Sequence, residues 1–511
     1  MGIAHEVAGA AGSRRFALIW PVAVISLAVV AIFGVLVSAL DRGGWQDEYA
    51  TFYFADPTIP FQQAWLHVWS NDPNPPFFYM VARLWQLFVG NSLFAHRLIN
   101  LLPLCFLLAW LVTTARRRPD HRSFLTVMAM FAFSSEFFLL YFPDYRSYFF
   151  QYCTELVFLG AASIGYLDRD RRPNVFQLVA LPFLILLHQV TALYAGVLLL
   201  PLLLIDIRRH FYMRAVCLVA VAALAMIALG LFTWLQLHQF DLTDMRWIPP
   251  QGPVSALELI LSNLMLAVGN NWGAICVAGA VVFLPHYRPH APAVSLIGLI
   301  AGAAFVATFF VLIINQHAPL IVERYFTFLA VEVIVILSLA IAPVLSIQPW
   351  LAALVTASAA LFVVQSSIDV AHQRGWLGDA DIVAKLVAQC PETRIHAGSR
   401  APGSGPDPAL RVGPEQGEQI GLANIAKIDH LTLLPLAPDS PGVCPVIYWT
   451  MYRAPSAQRI AEHHGDIVSA ANDSAGFGLN AAALAHTRAI QTGDTGIILV
   501  VSEATGGPAD K

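Results

Sequence analysis

The chain has 511 residues, 57% of them hydrophobic and 12% charged, with a net charge of −4 and a mean hydropathy of +0.64. Soluble domains carry about 25% charged residues, so this composition excludes an ordinary cytosolic enzyme, and its apolar richness excludes a disordered chain. With so weak a net charge no strongly basic surface for nucleic acid is expected, and six cysteines in so long a chain do not make a disulfide scaffold. A polytopic, all-α membrane protein remains.

Crossing a bilayer takes roughly 20 mainly apolar residues. The first such run, residues 16–40, follows Ser13-Arg14-Arg15. It is longer than a secretory h-region of roughly 7–15 residues and is read as a retained helix. Further runs lie near 96–115, 124–142, 148–167, 174–188, 190–207, 213–237, 256–284, 293–314, 325–345 and 349–366, giving about eleven transmembrane helices. Arginines cluster at every second connection: Arg14-Arg15, Arg116-Arg117-Arg118 with Arg122, Arg169 with Arg171-Arg172, Arg208-Arg209 with Arg214, and Arg288. Because Lys and Arg concentrate on the cytoplasmic side, residues 1–15 are expected in the cytoplasm. With eleven crossings, the tail after 370 is expected outside.

The transmembrane domain is thus expected over 16–370, with a structured first outside loop at 41–95. Residues 371–511 are expected to form a small, periplasmic α/β domain. Ala380 to Ala388 suits an amphipathic helix, and Val446-Ile447-Tyr448-Trp449 and Ile497-Ile498-Leu499-Val500-Val501 suit buried strands. Cys390 and Cys444 are the cysteines of this tail. Outside the cytoplasm they could pair; otherwise they are two separate buried thiols.

The outside connections carry the chemistry. Trp45-Gln46-Asp47-Glu48-Tyr49 follows the first span. A carboxylate buried near the membrane surface suits general-base work; the plain alternative is a helix-capping acid pair. Phe61, Trp65 and Trp69 recur every four residues, which predicts one face of a helix lying flat in the headgroup layer. Asn71-Asp72-Pro73-Asn74-Pro75-Pro76 precedes an apolar run at 77–89 that is short for a span and suits an interfacial or re-entrant helix.

Further along, Pro143-Asp144-Tyr145-Arg146-Ser147-Tyr148 is a tiny loop, and Ser147, Gln151 and Glu155 give the following span a polar face. A carboxylate inside a span is by default a functional hypothesis. Arg146 suits bidentate phosphate binding or a structural pair with Asp144. His188-Gln189 joins two spans almost without a loop. Asp241, Asp244 and Arg246 lie in a later connection, and Glu323-Arg324-Tyr325 opens another span, with Glu332 two turns on.

The order Asp47-Glu48, Asn74-Pro75-Pro76-Phe77-Phe78-Tyr79, Asp144-Tyr145-Arg146-Ser147-Tyr148, His188, Glu323-Arg324-Tyr325 resembles the bacterial protein O-mannosyltransferase-like GT-C glycosyltransferases. That superfamily includes the lipid A aminoarabinose and galacturonosyl transferases. The resemblance covers about residues 16–345. It implies a multi-pass protein of the bacterial inner membrane with its active site facing the periplasm. There it would transfer a sugar, with inversion, from a polyprenyl-phosphate donor to a periplasmic lipid, polysaccharide or protein hydroxyl. It implies Asp47 as the base with Glu48 its partner, and Arg146, Arg324 and Tyr325 near the donor phosphate. Asp144, His188, Arg246 and Asn74 would line the cavity. The family often has a His in the Pro-Pro motif; here that place holds Asp72 or Asn74.

The compartment agrees with what the resemblance implies. A transferase outside the cytoplasm lacks nucleotide sugars and needs a lipid carrier, hence an apolar groove, cations for the phosphate and a base. No cofactor is expected. Asp47 and Asp144 could both face a metal, but no closely spaced His or Cys set is present and no metal is expected. The alternative class is a transporter or flippase of a lipid-linked or small substrate. Such proteins also bury acids in spans but show repeated halves, and no repeat is found here.

Overall fold

The computed structural model describes residues 2–72, 74–90, 92–239, 252–268, 291–316, 321–347, 349–373, 375–398, 430–435, 439, 441–450, 487–492 and 496–502. In chain order the helices are α1 (Gly2–Asp41), α2 (Gln46–Phe54), α3 (Phe61–Gln63), α4 (Phe77–Gln86), α5 (Leu93–Arg97), α6 (Leu101–Arg117), α7 (Arg122–Ser134), α8 (Glu136–Tyr141), α9 (Tyr148–Leu167), α10 (Val175–Leu187), α11 (Gln189–Arg208), α12 (Tyr212–Gln239), α13 (Pro253–Ala267), α14 (Ala291–Asn315), α15 (Thr327–Ile347), α16 (Pro349–Ala371) and α17 (Gly375–Gln389). The chain divides into two compact units: residues 1–40 with 69–371, and residues 41–68 with 372–511.

In the first, helical unit, seven of the eleven expected runs form helices long and apolar enough to cross a membrane, counted among the described residues. The other four runs differ for separate reasons. The run at 148–167 forms α9, which spends Gln151, Thr154 and Glu155 on polar positions. The run at 174–188 gives the 13-residue α10, capped by Asn174 through its Oδ1 and the Phe176 N–H at 2.9 Å. Of the run at 256–284, α13 is described and residues 269–284 lie outside the described residues. The run at 124–142 is not one helix, which corrects the sequence reading. It breaks at Ser135, whose backbone is extended (φ −68°, ψ 140°) and whose hydroxyl accepts the Phe137 N–H at 3.3 Å. Ser135-Glu136 is an N-cap signal set inside an apolar run.

The helix predicted across Phe61, Trp65 and Trp69 also departs from expectation. The winding changes from α to π over Ala64–Val68 and to 3-10 over Trp69–Asn71. Phe61 and Trp65 still stack, with ring centroids 6.2 Å apart. Trp69 leaves that face and is fully buried, whereas Phe61 is exposed. The winding switches twice between Phe61 and Trp69, and each switch changes the angle advanced per residue, so a four-residue repeat does not carry Trp69 onto the Phe61–Trp65 face.

Close helix approaches use small residues, as expected where lipid offers no hydrophobic drive between helices. Gly160 of α9 lies directly beneath the Trp110 indole of α6, in space that a Cβ would occupy. Ser38 of α1 donates to the Ser367 carbonyl of α16 at 2.9 Å.

The arginine-rich connections meet at one end of this unit. Arg118 pairs with Asp168 (3.1 Å) and with Asp170, and His121 with Asp168 (2.6 Å). The buried Arg214 forks onto both Asp206 carboxylate oxygens and also donates to the Asp170 carbonyl at 2.7 Å. The connections α6–α7, α9–α10 and α11–α12 are thereby tied together.

In the second unit, β1 (Arg394–Gly398), β2 (Leu433–Pro435), β3 (Val446–Thr450), β4 (Thr487–Thr492) and β5 (Gly496–Val501) form a sheet in the order β2-β1-β3-β5-β4. The β2–β1 and β1–β3 pairs are parallel, and β3–β5 and β5–β4 antiparallel. Val446, Ile447, Tyr448 and Trp449 are fully buried, which explains their unbroken apolar run. A disulfide joins Cys390, just past α17, to Cys444, just before β3, with Cα atoms 5.7 Å apart.

Candidate active site at one end of the helical unit

At the end opposite the arginine-rich connections, the α8–α9 loop, the α10–α11 junction and the turn Glu323–Phe326 converge. The loop is short because Asn100, at the start of α6, clamps it. Its side-chain amide donates to the carbonyls of Phe142 (2.8 Å) and Asp144 (2.7 Å). Arg146 N–H returns to the Asp144 carbonyl at 2.9 Å. Asp144, Tyr145, Arg146 and Ser147 are consequently all buried.

Two arginines from distant segments meet at one ring. The Arg146 guanidinium carbon lies 5.9 Å from the Tyr148 ring centroid, and that of Arg324 lies 5.7 Å from the same centroid. Cation–π contacts of this kind contribute roughly 0.5–2 kcal/mol each. Tyr325 packs 6.5 Å from Tyr148 and 4.3 Å from the His188 ring. His188 is buried and caps α11, its Nδ1 accepting the Val190 N–H at 3.1 Å. That bond fixes the tautomer with the proton on Nε2. Both guanidinium charges reach His188. Four of the sequence-predicted residues, Arg146, Arg324, Tyr325 and His188, are therefore brought together.

Asn74 reaches the same place through Asp72. Asp72 Oδ1 accepts the Asn74 N–H at 2.7 Å. The Tyr79 hydroxyl donates to Asp72 and accepts from Arg146 Nη1 at 3.5 Å. Gln236 of α12 donates to the backbone carbonyl of Asp72 and to that of Asn74 at 3.5 Å. Burial pushes the Asp72 carboxyl above its ordinary range, and the Arg146 charge and the Asn74 and Tyr79 hydrogen bonds oppose that rise. Burial, then the Asp72 charge, pushes the Tyr79 phenol well above its ordinary value, so Tyr79 remains a donor. Tyr145 is likewise raised by burial; it lies against His96 and Phe78 at 5.2 and 6.1 Å.

Asp47 and Glu48 belong to the other unit. They sit in the first turn of α2, where carboxylates favour the helix dipole. Glu48 is fully buried and Asp47 partly exposed. Thr51 Oγ1 donates to the Asp47 carbonyl at 2.9 Å. Arg246, Asp241 and Asp244 lie outside the described residues. Among the described residues, no three His, Cys, Asp or Glu side chains gather as a metal-ligand set. Sequence reasoning missed Tyr148 as the shared platform, Asn100 as the clamp and Tyr79 as the link between Asp72 and Arg146.

What the cluster can do chemically follows from its charge. Two planar guanidinium groups around one aromatic ring, in a largely buried setting, present several N–H donors to an anion, and phosphate oxygens match that fork.

No protein-family model and no curated protein matches the chain. Among solved structures it is similar to ArnT from Cupriavidus metallidurans bound to undecaprenyl phosphate, with a TM-score of 0.48 and 12% identity over 95% of this chain and 99% of that one. It is also similar to the apo state of the same protein, with a TM-score of 0.45 and 12% identity over 93% of this chain and 97% of that one.

Proposed function

We propose that the protein is a membrane glycosyltransferase that moves a sugar from a polyprenyl-phosphate carrier to an acceptor hydroxyl. The observation that carries this reading is the meeting of Arg146 and Arg324 at Tyr148. An apolar protein gathers two permanent cations from segments about 180 residues apart in sequence, and a phosphate on a greasy tail is the ligand class that needs both. Charge bias supports a cytoplasmic location for the arginine-rich end. The Arg146–Arg324 cluster then faces the opposite side, where a lipid-linked donor replaces nucleotide sugars. The Cys390–Cys444 disulfide suits an oxidising compartment.

In this reading the donor phosphate lies against the two guanidinium groups, and the leaving phosphate oxygen gains negative charge as the glycosidic bond breaks. Charge-assisted hydrogen bonds that strengthen as charge develops lower the barrier. Asp47 takes the proton of the incoming hydroxyl, and Glu48 supports it. His188 presents its Nε2–H beside the arginines. The test is transfer by the purified protein in detergent, using a defined polyprenyl-phosphate sugar and a panel of lipid and glycan acceptors. Sugar transfer that fails in both Arg146→Ala and Arg324→Ala supports the reading. Undiminished transfer in both removes it.

A further inference from the structure

The mechanism above leaves two buried acids unused. Glu155 of α9 and Glu332 of α15 both lie inside the helical unit with no exposed surface. Their helices pack together, and the Glu155 charge reaches Glu332. Glu155 Oε1 accepts from Thr327 Oγ1 at 3.1 Å. Its Oε2, and both oxygens of Glu332, have no hydrogen-bond partner among the described residues. Neither carboxylate has an ion-pair partner among them. A dry interior does not tolerate two bare carboxylates, so each is neutralised either by a proton or by a bound cation.

The surroundings suit a cation. Gln151 Oε1 accepts from Thr191 Oγ1 at 3.1 Å and from Thr327 Oγ1 at 3.3 Å. Three helices thus bring one amide oxygen, two hydroxyls and two carboxylates to one region. Every donor atom is oxygen, and no sulfur or imidazole takes part. Such a set suits hard cations, which take oxygen ligands. The unsatisfied Glu332 oxygens are the second mark of a site: a fully buried polar side chain kept where it has no protein partner.

We propose that Glu155 and Glu332, with Gln151, Thr191 and Thr327, bind one hard metal cation inside the helical unit. The site lies one step below the arginine cluster. Gln151 Nε2 donates to Ser147 Oγ at 3.2 Å, next in sequence to Arg146 and Tyr148. Thr327 follows directly on the turn carrying Arg324 and Tyr325. The cation ties α9, α11 and α15 together under both arginines, and so holds their spacing. The inference rests on the buried oxygens alone and stands or falls apart from the transferase reading.

The test uses the full-length protein in detergent at constant ionic strength, set with choline chloride. NaCl, MgCl2 or CaCl2 replaces choline while thermal unfolding is followed. One of these cations should raise Tm saturably. Glu332→Gln should abolish that rise. Thr327→Val, which keeps both carboxylates, should weaken the midpoint by roughly 10-fold; it decides the matter if Glu332→Gln does not fold. The proposal is overturned if no cation raises Tm above the choline control. It is equally overturned if the rise persists unchanged in either variant, or if infrared spectra show both carboxyls protonated at saturating cation.

Discussion

Arg146 and Arg324 stand 178 positions apart in the sequence, yet their guanidinium groups lie 5.9 and 5.7 Å from the same Tyr148 ring. The ring holds two like charges in register, and their spacing depends on the Asn100 clamp on one side and the Glu323–Phe326 turn on the other. An anion seated between them would accept from both guanidinium groups, so affinity should depend on both arginines together.

Single Arg146→Ala and Arg324→Ala variants should each weaken binding of polyprenyl phosphate by about 2–5 kcal/mol. The double variant should lose less than the sum, because the two residues share one ligand. Tyr148→Leu should weaken binding less than either. Calorimetry with a short-chain polyprenyl phosphate reads all four. A variant that binds normally but melts far earlier would reveal a purely structural arginine.

Asp47→Asn should keep the fold and cut transfer by about 10²–10⁴-fold, the usual weight of a general base. The amide has nearly the same shape but cannot accept the proton. Donor binding should be unchanged, which separates this role from that of the arginines. Turnover near the wild-type rate at saturating donor would reassign the base.

Asp72 makes the pH response testable. Its folded pKa lies above the ordinary 3.8 because burial disfavours the charged form. A raised carboxyl stabilises the native state at low pH, fully below 3.8, and that contribution is lost as pH rises through the folded value. Asp72→Asn should therefore flatten the fall in Tm on going from acid to neutral pH. An equally steep fall in the variant would show that other groups govern it.

Much of the fold was legible because the composition is so uneven. The run at 148–167 became α9 with those bounds, since Asp144-Tyr145-Arg146 before it and Asp168-Arg169-Asp170 after it stop an apolar helix. The break at Ser135 was overlooked because a cap inside an apolar stretch does not interrupt hydropathy. The residue types of the arginine cluster could be read, since Arg146 and Arg324 stand at connections outside the arginine clusters that set the orientation. Tyr148, Tyr79 and Asn100 could not, because each is an ordinary residue near the end of a helix. The meeting of Glu155 with Glu332 was equally hidden: residue spacing along one helix carries no information about its register against another.

The disulfide gives an independent handle on the tail. Cys390 and Cys444 should resist maleimide in the untreated membrane protein and react after reduction. Reduction should lower the stability of the sheet-bearing unit by about 2–4 kcal/mol. Labelling without reductant would place the tail in a reducing compartment and on the cytoplasmic side.

The central claim is that a lipid-linked phosphate seats between Arg146 and Arg324. The most direct measurement is photocrosslinking of a polyprenyl phosphate bearing a photoreactive group beside the phosphate, followed by peptide mapping. The account predicts adducts on the 144–148 loop and on the 323–326 turn, both lost in the Arg146→Ala/Arg324→Ala double variant. Adducts confined to other helices, or retained at full yield in the double variant, would contradict it.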